Sequence, residues 1–127
     1  MTDFSLMNLK DVDDSAAEHA PNIEARFARK HLDSQHLGVT YLRYAPNVRS
    51  PTGHSHREQE EAYVVIAGSG RMKLDDEIVE LRQWDVVRVA PQTVRAVEGG
   101  TEGIEIIAVG SDRPEGGDGV TVHGWWT

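Results

Sequence analysis

The stretch His54-Ser55-His56-Arg57-Glu58-Gln59-Glu60-Glu61-Ala62-Tyr63-Val64-Val65-Ile66-Ala67-Gly68 decides how this chain is read. Its second half, Ala62 to Ala67, is β-branched and aromatic and stops at a glycine, which is the pattern of a strand. Its first half places two imidazoles and a carboxylate side by side. On a strand, residues two apart share a face, so His54 and His56 aim their rings at one point. Glu61, Tyr63 and Val65 share a face of the following strand, while Glu60 points the other way. If both faces point inward, Glu61 approaches the two rings. Two imidazoles and one carboxylate form a facial set that suits Fe(II), Mn(II) or Zn(II) and leaves coordination positions open.

Working outward, short alternating runs recur, with turn residues between them at intervals of about ten. Ile23 to Ala28 reads as a strand, a helix being the alternative because Ile23 and Phe27 stand one turn apart. Val39 to Tyr44 alternates and then meets Pro46-Asn47, a turn pair whose Asn tolerates positive φ. Gly68-Ser69-Gly70 reads as a turn, Arg71 to Leu74 as the next run, and Asp75-Asp76 as a hairpin turn before Glu77 to Leu81. Val86 to Val89 ends at Ala90-Pro91. Thr93 to Val97 and Gly103 to Val109 read as two further strands separated by Gly99-Gly100. The sum is roughly eight strands, with only Ser15 to His19 helical in look. From Ser111 to Gly119 the chain reads as a surface connection, and Trp125-Trp126 has too much apolar area to stay exposed. The tryptophans are expected to dock on the barrel of the same chain, the alternative being a partner subunit.

Composition bounds the function. The 127 residues fit one domain, with a barrel core over about 39–109, an extension over 1–22 and a tail over 111–127. A net charge of -8 disfavours nucleic acid as a partner, because such binding relies on Lys and Arg displacing counterions. The absence of cysteine removes disulfides and thiolate ligands, so a metal must bind through N and O. Met1 to Asp14 carries four Asp and one Lys without an apolar run, and no segment has the length of a membrane span. A cytoplasmic protein without membrane contact is the expectation.

At His54, His56, Glu61 and Gly68 the sequence resembles the first motif of the cupin family: H-x-H, three or four residues, E, six residues, G. The resemblance covers roughly Val39 to Val109. It implies an all-β fold, a small antiparallel β-barrel of jelly-roll type, commonly a homodimer, with its site inside the barrel. The second cupin motif is matched in outline only. Aligned through Asp85, it puts Trp84 at its first glycine, Ala90 at its proline, Gln92 at its second glycine, Arg95 at its ligand histidine and Gly99 at its asparagine. A guanidinium about 5 Å from a divalent ion, at an effective dielectric near 20, is repelled by roughly 7 kcal/mol if neither group moves. Arg95 can instead pair with Glu61, or read an acidic ligand with its planar fork.

Two functions follow. The first is a cupin-type protein that binds a small anionic metabolite in the barrel through Arg95 with His54 and His56. Tyr63 and Tyr41 shape its pocket, and a divalent metal (iron, zinc, manganese or nickel) is possible at His54, His56 and Glu61. The alternative is a metal-dependent enzyme, a dioxygenase or an isomerase or epimerase, with those three residues as ligands. Phe27 and Trp84 are expected in the core or the pocket wall. His19, His31, His36 and His123 are read as structural or solvated, His123 being the one that a returning tail could bring to the metal.

Overall fold

Residues 2–126 are described by the structure, a computed structural model of the chain. One antiparallel sheet of eight strands curls on itself: β1 (Ile23–Phe27), β2 (Gly38–Tyr44), β3 (Gly53–His56), β4 (Glu61–Leu74), β5 (Glu77–Arg82), β6 (Val86–Val89), β7 (Arg95–Gly110) and β8 (Gly119–Val122). The ladder runs β1-β2-β7-β3-β8, and β4 lies against β7 on one side and β5 and β6 on the other. No helix among the described residues is long and apolar enough to cross a membrane.

Strands β1 to β7 form where the sequence placed its runs, β8 where it placed none, and their inward residues make the core. Tyr44, Tyr63, Val65, Met72, Leu81, Val89, Val97, Ile104, Ile106 and Ala108 pack into one cluster. Ile23 of β1 joins it, which settles that segment as a strand. Pro46-Asn47 is a turn with Asn47 at φ 62, and Asp75 at φ 50 begins the β4–β5 hairpin.

Two expected breaks are corrected. Gly68-Ser69-Gly70 does not end a strand, and Gly99-Gly100 does not divide one: β4 and β7 each run through their glycines. The ladder between them slips twice, between Val65 and Ala67 and between Gly68 and Gly70. Gly68 (φ 74) and Gly103 (φ 77) take left-handed backbone at this level, where Gly68 faces Gly103 so closely that a Cβ would stand 2.1 Å from its carbonyl oxygen. Because side chains alternate with period two, one extra residue reverses which parity faces inward. On β4, Tyr63 and Val65 are buried before the bulge and Gly70 and Met72 after it. On β7 the inward set changes likewise, from Arg95 and Val97 to Ile104, Ile106 and Ala108. Both strands stay apolar inward along their length because both shift phase together.

The ends extend the sheet beyond 39–109. Residues 15–19 form turns rather than a helix, held by Asp14, whose carboxylate accepts from the amides of Ala16 and Ala25. The connection after Ser111 is a surface segment only up to Gly117, since Asp118 is buried and β8 follows, pairing with β3 from Gly53↔Val122 to His56↔Gly119. The tryptophans dock on their own chain. Lys73 Nζ lies 4.3 Å over the Trp125 ring and Arg49 lies 4.7 Å over that of Trp126, whose Nε1 donates to the Ser50 carbonyl. Gly53 leaves the room for Trp125, whose ring stands 2.7 Å from where a Cβ would be.

Candidate metal centre

β3 presents His54 and His56 from one face, and β4 begins at Glu61 opposite them. Glu61 Oε1 lies 3.1 Å from His56 Nε2 and 3.7 Å from His54 Nε2, and the two imidazoles stand edge to face with centroids 5.1 Å apart. The three candidate ligand atoms lie within 4.8 Å of one another. Donors at right angles about 2.1 Å from a common ion stand about 3 Å apart, which the Glu61–His56 separation matches and the Glu61–His54 separation approaches.

The orientation of His56 is fixed from behind. Its Nδ1 stands 2.8 Å from Asp118 Oδ1, and Asp118 Oδ2 accepts from the amides of Glu58 and Gln59. Burial would raise the Asp118 pKa, yet those amides and His56 lower it to about 2. A carboxylate can only accept here, so Nδ1 carries a proton, and Nε2 is the nitrogen whose lone pair a metal would take in place of a proton. That Nε2 is buried without a hydrogen-bond partner. A carboxylate, an imidazole and a vacant, inward-aimed nitrogen form the arrangement that orients a metal-binding histidine. The donors therefore fit a divalent ion held by His54, His56 and Glu61.

Glu61 is the charge at the centre. Burial pushes its carboxyl upward, but the neighbouring His54 and His56 imidazoles and the Tyr63 hydroxyl outweigh burial and hold it well below the usual carboxylate range. Tyr63 donates to Oε1 at 2.7 Å, and burial together with the charge of Glu61 drives its own pKa up, so the phenol stays protonated. For His56 the adjacent Glu61 carboxylate raises the pKa and burial opposes it.

Arg95 lies across the ladder from His54 and is 1% exposed. Its Nη1 donates to the carbonyls of Pro91 and Thr93, its Nη2 reaches that of Ala90 at 3.4 Å, and Nη2 also stands 3.5 Å from Glu61 Oε1. The pairing with Glu61 is thus a single long contact rather than a bidentate fork. The guanidinium is turned toward the β6–β7 turn, its buried Nε makes no hydrogen bond, and Arg95 is not among the residues lining the cavity.

That cavity, of about 470 Å³, opens from the site and includes His54, His56, Glu61 and Tyr63 in its wall. Thr40, Leu42 and Tyr44 face it from β2, and Tyr41, of opposite parity, cannot. The Tyr41 hydroxyl bonds Glu105 on the outer face, beside an ion network in which Glu24 takes Lys10, Arg26 and Arg43. Tyr41 is not among the residues lining this cavity. Phe27 lies at the cavity's open rim, 54% exposed, and Trp84 lies outside, 69% exposed. Trp84 has φ 75, a glycine-like conformation at the position where the second motif has its first glycine. His36 pairs with Asp112, and His123 is exposed and outside the ligand cluster. Asp118, Gln59, Arg29 and Arg113 are at the site without having been expected there.

No protein-family profile matches the chain. A curated relative, the uncharacterized protein MJ1618 of Methanocaldococcus jannaschii, is 36% identical over 45 residues, 35% of this chain and 36% of the relative, so the match spans about a third of that protein. Solved structures are similar over more of the chain. A cupin protein of Bacteroides fragilis superposes with a TM-score of 0.68 at 19% identity, covering 98% of this chain and 87% of that one. A sugar phosphate isomerase from a cupin superfamily, from Silicibacter pomeroyi, gives 0.68 at 17% identity over 86% of this chain and 76% of its own. A variant of Bacillus subtilis oxalate decarboxylase gives 0.77 at 20% identity, covering 97% of this chain but 33% of that one. The chain has the cupin fold, a jelly-roll barrel with the His54, His56 and Glu61 cluster inside.

Proposed function

We propose that the protein is a metal-dependent cupin that holds one divalent ion on His54, His56 and Glu61 and receives a small molecule in the cavity beside it. The observation that carries this is His56: one nitrogen is bound to Asp118 and the other is buried, unpartnered and aimed at Glu61 and His54. Burying that nitrogen without a partner costs about 1–3 kcal/mol, which a metal bond would offset. A bound ion supplies a Lewis acid with open positions for a ligand. Tyr63 holds Glu61 in place, and the Asp118 contact keeps His56 Nε2 directed at Glu61. The relatives in structure include an isomerase and a decarboxylase, which supports a reaction at such a site without selecting one. Arg95 lowers the attraction for the ion, so weaker binding than in a site with a fourth neutral ligand is the expectation. The test is elemental analysis of protein purified without chelator and after reconstitution with Fe, Mn, Zn or Ni. Near-stoichiometric metal is expected, lost in His56→Ala; no retained metal under any condition overturns the reading.

A further inference from the structure

The cavity contains two guanidiniums that the metal site does not use. Arg29 and Arg113 both line it, and Glu61, already engaged by His54, His56, Tyr63 and Arg95, is the one carboxylate in its wall among the described residues. Acidic residues outnumber Lys and Arg by 21 to 13. Most of the other arginines near carboxylates are neutralised: Arg26 and Arg43 by Glu24, Arg49 and Arg71 by Glu98, Arg88 by Glu60. Neither Arg29 nor Arg113 has a carboxylate within ion-pair distance among the described residues.

Arg29 is also held in position. Gly38 and Gly110 face each other across β2 and β7, and two side chains lie over this bare pair. A Cβ on Gly38 would stand 2.6 Å from Arg29 Nη2, and one on Gly110 would stand 2.2 Å from Gln59 Nε2. Both side chains donate to the Ser111 carbonyl, Arg29 at 2.8 Å and Gln59 at 3.1 Å. One donor of the Arg29 fork is spent on that carbonyl, and Arg29 lines the cavity. The wall between this end and the metal ligands is apolar, with Ile23, Ala25, Leu42 and Ala108.

We infer that Arg29 and Arg113 form an anion-reading rim, and that the ligand is an amphipathic organic acid whose carboxylate or phosphate sits at the rim while its apolar body follows the wall inward. A guanidinium fork matches either anion bidentately. The inference rests on the cavity being the ligand site, as proposed above, but not on the presence of the metal.

The experiment is calorimetric titration of the full chain at pH 8, as purified and after chelator treatment, with hexanoate, hexyl phosphate and hexanol. At least one acid is expected to bind about tenfold or more tightly than hexanol, and the phosphate and carboxylate arms identify which head group is preferred. Arg29→Gln combined with Arg113→Gln is expected to remove that preference and leave hexanol unchanged. Gly38→Ala, which keeps the charge but displaces the Arg29 head, is expected to weaken the acid alone. Hexanol binding as tightly as the acids, acid affinity unchanged in the double variant, or no acid binding at millimolar concentration each overturns the inference. Since the chelator-treated arm contains no metal, a failed metal site leaves the rim measurable, and a failed rim leaves the metal content of the purified protein as found.

Discussion

Asp118→Asn separates the orientation of His56 from its ability to ligate. Asparagine keeps an acceptor for the Glu58 and Gln59 amides but removes the charge that holds the proton on Nδ1. Loss of such a partner typically costs 10–100-fold in metal affinity, about 1.4–2.7 kcal/mol, and competition with a chromophoric chelator measures it. Unchanged affinity would mean that the carboxylate does not orient the ring. Arg95→His makes the opposite prediction. It removes a cation 3.5 Å from Glu61 and places a nitrogen where the second cupin motif has its histidine. Metal affinity is expected to rise at least about tenfold, while the lost carbonyl contacts lower stability by about 1–3 kcal/mol. The same competition assay, paired with urea unfolding, reads both effects, and no gain in affinity would show that the carbonyl cradle already screens the charge.

At the scale of elements, Gly68→Ala tests the paired bulges. The new methyl would meet the Gly103 carbonyl at 2.1 Å on a backbone with φ 74, so a loss of about 3 kcal/mol is expected in urea unfolding. A loss below about 1 kcal/mol would show a pliable bulge. These bulges also explain what the sequence could not show. Glycines between alternating runs signal a change of local conformation, and a reversal and a phase shift have the same composition; only the partner strand, shifting at Gly103, selects between them. The strands themselves, the Asn47 and Asp75 turns, and the joining of His54, His56 and Glu61 were legible because period-two alternation and local spacing specify them. The surroundings of Arg95 and Tyr41 were not legible for a different reason: alternation puts Tyr41 outside only once Tyr44 is known to be inside, and a turn read at Ala90-Pro91 does not say which side chain its carbonyls will capture. Asp118 lay in a stretch of Asp, Pro, Glu and Gly where no pattern distinguishes a buried carboxylate from a solvated one.

For the molecule as a whole, acid stability carries a readable signature on the outer face. Burial would raise the pKa of Glu24, but Lys10, Arg26 and Arg43 outweigh it and lower the value from 4.5 to about 2. A carboxylate depressed in the folded state stabilises fully above its unfolded pKa, and that contribution is lost as pH falls through the folded one. Glu24→Gln is therefore expected to cost about 2 kcal/mol at neutral pH, after allowance for the exposed partners, and to flatten the loss of stability between pH 4.5 and about 2. Thermal unfolding across that range checks it, and an unchanged acid slope would assign the stability to other groups. A last consequence concerns time. β3, which holds both histidines, has four ladder pairs with β8 and one with β7. Chains are synthesised from the N-terminus, so His54 and His56 emerge long before the strand that fixes them. Until residues 118–122 follow, β3 lacks the strand that supplies four of its five ladder pairs and His56 lacks Asp118, so the site is completed only by the end of the chain.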